Sequence, residues 1–232
     1  MTPIAHSASG SVSMTPASRA FRARVVAALL IVAPVALPGQ DATVGSVSFA
    51  GGLGFVTPTA TYGRIVSTSY HVAPAQLGYF PARIPLGFAL ETMVDGFSIG
   101  SSVIHALPTA TSGVSTVFAG LADVFLGNLH CRSLCPYLVG GVGVYNRAVE
   151  VWRKPGIAVT FNNPDLGFNN VMLSTSPHAT HATDTEIQYG EHAGGGLLFG
   201  WYPRLFIEAR YHRIFTTPHA TTLVPVTFGL RF

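Results

Sequence analysis

Any chemistry in this 232-residue chain has to come from a handful of histidines, carboxylates and cysteines. The densest run is "SPHATHATDTE", which carries His178, His181, Asp184 and Glu186, and His219 follows in "TTPHATT". Imidazole and carboxylate together suit a divalent metal. Their Ser/Thr/Pro-rich setting is that of a solvated loop, and this is the reading kept. "HCRSLCP" offers His130, Cys131 and Cys135. Three ligands on one short loop are thin for a zinc site, whereas Cys131 and Cys135 are near enough to form a local disulfide in an oxidising compartment. "GGVGVY" and "AGGGLLFG" are as glycine-rich as phosphate loops, but they lie inside alternating runs rather than before helices. No nucleophile–base–acid set stands out. No catalytic residue, no metal site and no cofactor is expected.

The elements that position these residues follow from composition and address. The chain is 48% hydrophobic and only 10% charged, with 25 glycines, and its mean hydropathy is +0.41. Soluble domains average about 25% charged residues, so much of this surface is expected to face something other than water. One stretch approaches the ~18 apolar residues of a membrane helix. Arg19, Arg22 and Arg24 precede an apolar run from Val25 to Leu37, followed by Pro38 and Gly39. A charged start, a short apolar core and a small-residue end predict a secretory signal peptide and leader over 1–42, cleaved between about Gly39 and Ala42. A single membrane anchor fits less well, because the run is short and Pro34 interrupts it. Of the 13 Lys and Arg, three lie before residue 41, and all 10 Asp and Glu lie from Asp41 onward. The remainder is near neutral, and no nucleic-acid partner is implied.

From residue 43 onward, alternating apolar runs bounded by Gly, Pro, Asn or Asp predict strands. "VGSVSFAGGLGFV" sets Val47, Phe49, Leu53 and Phe55 against Ser46, Ser48, Gly52 and Gly54. "RIPLGFALETMV" sets Leu86, Phe88 and Leu90 against Gly87, Ala89 and Glu91, and Asp95-Gly96 reads as a tight hairpin into a third strand, "FSIGSSVIHAL". "GVSTVFAGLADVFLG", "PYLVGGVGVYNRAVEVW", "EIQYGEHAGGGLLFGW", "LFIEARYHRIF" and "TTLVPVTFGLRF" complete eight. Long connections at about 57–82 and 153–185 oppose short turns at Asp95-Gly96, Asn128–Pro136 and Tyr202–Arg204, an arrangement typical of membrane barrels.

The final strand alternates Val224, Val226, Phe228, Leu230 and Phe232 with Pro225, Thr227, Gly229 and Arg231. With Phe232 outward, Arg231 points into the lumen, and the same parity turns Glu91, Glu208, Arg210 and His212 inward, with Asp123 and His192 as further candidates. Glu91, Glu208, Arg210 and Arg231 are expected to form an ion-pair network that closes the bore, since eight strands enclose only enough room for side chains. Tyr137, Trp201, Tyr202 and Tyr211 suit an aromatic girdle.

The segment from about Ile187 to Phe232, with "GGGLLFGWYPRLFIEARYHRIF" leading into "VPVTFGLRF", resembles the closing strands of OmpA/OmpX-like outer-membrane β-barrel proteins. The resemblance implies an all-β, transmembrane, antiparallel up-and-down barrel of eight strands over 43–232. It implies the outer membrane of a Gram-negative-type bacterium after export, outer-membrane lipids as surroundings, and the barrel-assembly machinery as the partner during insertion. In that family a terminal strand ending in Phe is the insertion signal, so Phe228, Leu230 and Phe232 would carry it. The long loops match no known pattern. Outer-membrane lipid A deacylases are small barrels with a His-x-Ser pair; His212-Arg-Ile and His219-Ala-Thr lack that serine. The expected function is therefore non-enzymatic: a structural or surface-interaction barrel acting through external loops. A small barrel passing or binding an apolar or small solute is the alternative, and a secreted barrel holding a lipid-like ligand is a third.

Overall fold

The computed structural model describes residues 45–232 apart from 83, 107–109, 128, 130–132, 154–158, 164–167, 174–180, 201 and 218. The expected signal over 1–42, and with it His130, Cys131, His178 and Trp201, lies outside the described residues.

Eight antiparallel strands close into a barrel in the order β1-β10-β9-β8-β5-β4-β3-β2. They are β1 (Ser46–Thr59), β2 (Ser69–Phe80), β3 (Leu86–Ser98), β4 (Ala110–Leu126), β5 (Leu134–Arg153), β8 (His181–Phe199), β9 (Arg204–Ile214) and β10 (Thr221–Arg231). A short helix, α1 (Ser101–Ala106), lies between β3 and β4, and β6 (Val159–Asn163) pairs with β7 (Phe168–Leu173) as a separate hairpin. The seam is β1 against β10, and the backbones of Phe49 and Phe232 exchange hydrogen bonds of 3.0 and 2.7 Å there. Closure leaves no sheet edge along the barrel body, which is the condition under which backbone amides tolerate an apolar surrounding.

The count of eight holds, but two of the expected strands are redrawn. Residues 69–80, expected inside a long loop, form β2. Its alternation changes phase at a bulge: Tyr70 and Val72 face outward before Pro74, and Leu77 and Tyr79 face outward after it, with register shifts against both neighbours. Proline is tolerated at such a bulge because it has no N–H to give to the ladder. Conversely, Asp95-Gly96 is no hairpin. Both lie within β3, where Gly96 leaves room for the Tyr70 ring of β2, which any side chain at Gly96 would strike. The stretch expected as a third strand is the end of β3 followed by α1.

Short connections at 81–85, 127–133 and 200–203 share one end of the barrel with the start of β1 and the end of β10. Those at 60–68, 99–109, 154–180 and 215–220 lie at the other. There β5 and β8 run on together to Trp152↔His181, while the pairing of β8 with β9 stops at Gly190↔Ile214. At ~3.3 Å per residue, the nine residues from Gly190 to His181 reach about 30 Å past that point.

Two apolar clusters fill the ends. At the short-turn end, Phe80, Phe125, Tyr137, Leu198 and Phe206 pack together. At the other, Tyr62, Ile65 and Val66 from the β1–β2 connection and Ile99 and Ile104 from the β3–β4 connection fold inward onto Phe97, Val117, Tyr145, Val149 and Val151. The Tyr62 hydroxyl hydrogen-bonds Ser115 Oγ at 2.7 Å, and burial pushes its pKa up to about 12.

Candidate functional site: the charged lumen

Strand parity puts the polar residues of neighbouring strands into one interior. On β9, Glu208, Arg210 and His212 recur at every second position and all are buried. The Arg210 guanidinium is the hub. Nη2 reaches Glu91 Oε2 of β3 at 2.7 Å, Nη1 reaches Asp123 Oδ2 of β4 at 3.2 Å, and Nε reaches Glu208 Oε1 at 2.5 Å. Asp123 Oδ1 also accepts a hydrogen bond from His192 Nε2 of β8 at 2.8 Å. The His192 ring stacks on His212 with centroids 5.1 Å apart, and His212 Nδ1 meets the Tyr145 hydroxyl at 2.9 Å. Farther up, His71 Nδ1 donates to Asp95 Oδ1 at 2.6 Å.

Arg231 lies below this cluster and makes no ion pair among the described residues. It donates to Gln76 Oε1 at 2.6 Å and Ser48 Oγ at 3.3 Å, and its guanidinium lies 5.0, 5.3 and 6.0 Å from the ring centroids of Phe80, Phe125 and Phe206. Gln76 in turn donates to Glu91 Oε2. The structure therefore groups Glu91, Glu208 and Arg210 directly, adds Asp123, and joins Arg231 through an amide bridge rather than a charge. A guanidinium needs such company: burying an unpaired charge costs several kcal/mol, which close carboxylates or aromatic faces offset.

Other expected positions separate. Phe228 and Leu230 are outward and exposed, and the Phe232 ring meets Tyr202 edge-on at 6.1 Å. Tyr202 and Tyr211 face outward, but Tyr137 does not belong to a girdle. It is buried in the lumen against Phe125, because β5 turns its odd-numbered residues inward. Cys135 is buried, and Arg204 Nη2 approaches its sulfur at 2.8 Å; its expected partner Cys131 lies outside the described residues. His219 is exposed, and no group of metal-ligating side chains assembles among the described residues. His71, Gln76 and Asp95 escape the sequence reading, the first two because β2 looks like a loop and Asp95 because it looks like a turn residue.

The exterior inverts this pattern. Leu53, Leu77, Leu90, Leu138, Val142 and Leu205 are among many large apolar side chains exposed around the barrel. Among the described outward-facing strand residues, only Glu150, Glu191 and Arg213 carry charge.

No family model matches the chain, and comparison with curated proteins finds no relative. Among solved structures the chain is similar to the N-terminal β-barrel domain of Pseudomonas aeruginosa OprF (12% identity, 81% of this chain and 99% of that one, TM-score 0.41). It is similar to Neisserial surface protein A (10% identity, 81% and 97%, TM-score 0.47) and to Ail, the attachment invasion locus protein of Yersinia pestis (11%, 82% and 99%, TM-score 0.43). The chain itself is a closed, eight-stranded, all-antiparallel β-barrel. The expected all-β antiparallel barrel of eight strands is what the chain's own topology shows.

Proposed function

We propose that this chain is a non-enzymatic integral outer-membrane barrel whose filled lumen serves as a rigid support for its external loops. The observation that carries the reading is the inversion of polarity: charged side chains are sealed inside and large apolar ones cover the outside. A soluble ligand-binding barrel needs the reverse, and a lone Arg or Lys facing lipid near the midplane costs ~2–4 kcal/mol. On this reading the long connections face outward from the cell and meet surfaces or envelope components. The short turns face the periplasm, residues 1–42 direct export, and Phe228, Leu230 and Phe232 address the barrel-assembly machinery. Cys131 and Cys135 form a local bridge at the periplasmic end.

A solute path requires a bore. The Arg210 cluster, the three rings around Arg231 and the inward-folded loops occupy the interior, and cavities beside Gln76–Glu91 and beneath Thr61–Arg147 are each about 10 Å³, room for one water at most. The non-conducting reading is therefore preferred.

Gel migration of the protein from isolated outer membranes, with and without boiling, tests the proposal. Recovery with the outer membrane and faster migration unboiled are expected, and alkylation before reduction should leave both cysteines unlabelled. A soluble periplasmic or secreted protein without a heat-dependent shift would overturn the membrane assignment.

A further inference from the structure

The upper lumen holds one contact that neither the Arg210 cluster nor the loop packing requires. His192 of β8 and His212 of β9 stand opposite each other in the ladder, both turned inward and only 4% and 1% exposed. Their rings lie face to face, with an interplanar angle of 21°. The His212 ring also meets the Tyr145 ring edge-on at 6.0 Å. The His192 ring fills the space that Gly141 of β5 leaves, where an added Cβ would fall 3.0 Å from its Cε1. Packing on both sides therefore holds the two imidazoles together while the barrel is closed.

The two rings keep different company. His192 donates through Nε2 to Asp123 of β4, so a proton added to its ring lies beside a carboxylate. His212 contacts no carboxylate among the described residues. Its Nδ1 meets the Tyr145 hydroxyl of β5, and Leu223 lies across from it on β10. Besides His192, the cationic and titratable groups that face it are Arg210 on its own strand and His71 of β2. The carboxylates of this region are engaged elsewhere, Asp123 and Glu91 with Arg210 and Asp95 of β3 with His71. A proton on His212 therefore claims the nitrogen that holds Tyr145. It also sets a second cation against His192 in a sealed interior, where like charges are poorly screened.

We infer that the stacked His192–His212 pair is an acid-sensitive latch: protonation of both rings drives them apart and opens the sealed lumen to water and small ions. Tyr145 carries the effect outward, because it belongs to the apolar cluster on which the inward-folded connections rest. Ordinary imidazoles take up a proton below about pH 6.5. The seal is therefore complete above that value and is lost as the pH falls through it. The inference rests on the membrane-embedded barrel proposed above, and insertion is read separately from opening.

The test is ion conductance of the folded full chain in planar lipid bilayers at about pH 7.5 and about pH 5, on either side of the imidazole range. The unboiled gel shift at both values monitors folding of every variant. Wild type is expected to be closed at the higher pH and to raise its open fraction by about tenfold or more at the lower. H212Q keeps a hydrogen-bonding side chain that takes no proton, and it is expected to stay closed at both. H212F keeps a flat ring in the stack and carries the same expectation where H212Q does not fold. Inserted wild type that stays closed at the lower pH would overturn the inference. So would folded H212Q or H212F that opens with acid as wild type does. A chain that never inserts removes the membrane reading itself, and this inference with it.

Discussion

Arg210 shows how one side chain organises the interior. Three carboxylates from three strands converge on its guanidinium, so removing it leaves Glu91, Asp123 and Glu208 confronting one another at low dielectric. R210M is expected to destabilise the barrel by about 3–5 kcal/mol, whereas R210M/E91M should cost less than the two single changes combined. Urea unfolding in detergent or lipid measures this cycle, with an expected coupling of about 0.5–3 kcal/mol. Additive effects would mean that the pair does not act as a unit. At this scale the sequence was legible wherever parity could be counted from a fixed point: Phe232 outward turns Arg231 in, and Glu208, Arg210 and His212 follow on the adjacent strand. Parity does not say which inward groups meet. Arg231 shares the lumen with Glu91 yet satisfies itself with Gln76, Ser48 and aromatic faces, because its position lies among Phe80, Phe125 and Phe206.

Strands with unbroken alternation, such as β9, β10 and the first half of β3, were legible, and those with local exceptions were not. β2 changes phase at its Pro74 bulge, so counting in twos fails halfway along it. Asp95-Gly96 has turn chemistry, but a tertiary demand overrides it: His71 requires the carboxylate, and Tyr70 requires the missing side chain. One missed strand and one misplaced strand cancelled in the count. The closing strand has two separable duties. The backbone of Phe232 completes the seam with Phe49, while its side chain meets only Tyr202 among the aromatic contacts described. Deleting Phe232 should therefore lower the amount assembled in the outer membrane far more than it lowers the stability of barrel refolded in detergent. Quantitative membrane fractionation alongside in vitro unfolding decides this, and normal insertion of the truncation would remove the signal role.

For the whole molecule, the division between inside and outside is what composition announced and topology delivers. A chain with so few charges can stay stable in an apolar surrounding only if those charges are turned inward and the backbone closes on itself. The barrel does both, and β5 and β8 continue past the end of β9 to carry loop chemistry away from the wall. What those loops bind was not legible, because loop recognition follows no period and "SPHATHATDTE" has the composition of any polar connection. The central claim is that the outer face touches lipid. The most direct measurement is fluorescence quenching by acyl-chain-brominated lipids in a chain whose Trp152 and Trp201 are replaced by Phe, with a single Trp introduced at Leu90, Leu138 or Thr185. Strong quenching is predicted at Leu90 and Leu138, outward on the barrel wall, and little at Thr185, outward on β8 beyond the end of β9. Weak lipid quenching at all three, with Leu90 and Leu138 open instead to an aqueous quencher, would contradict the account.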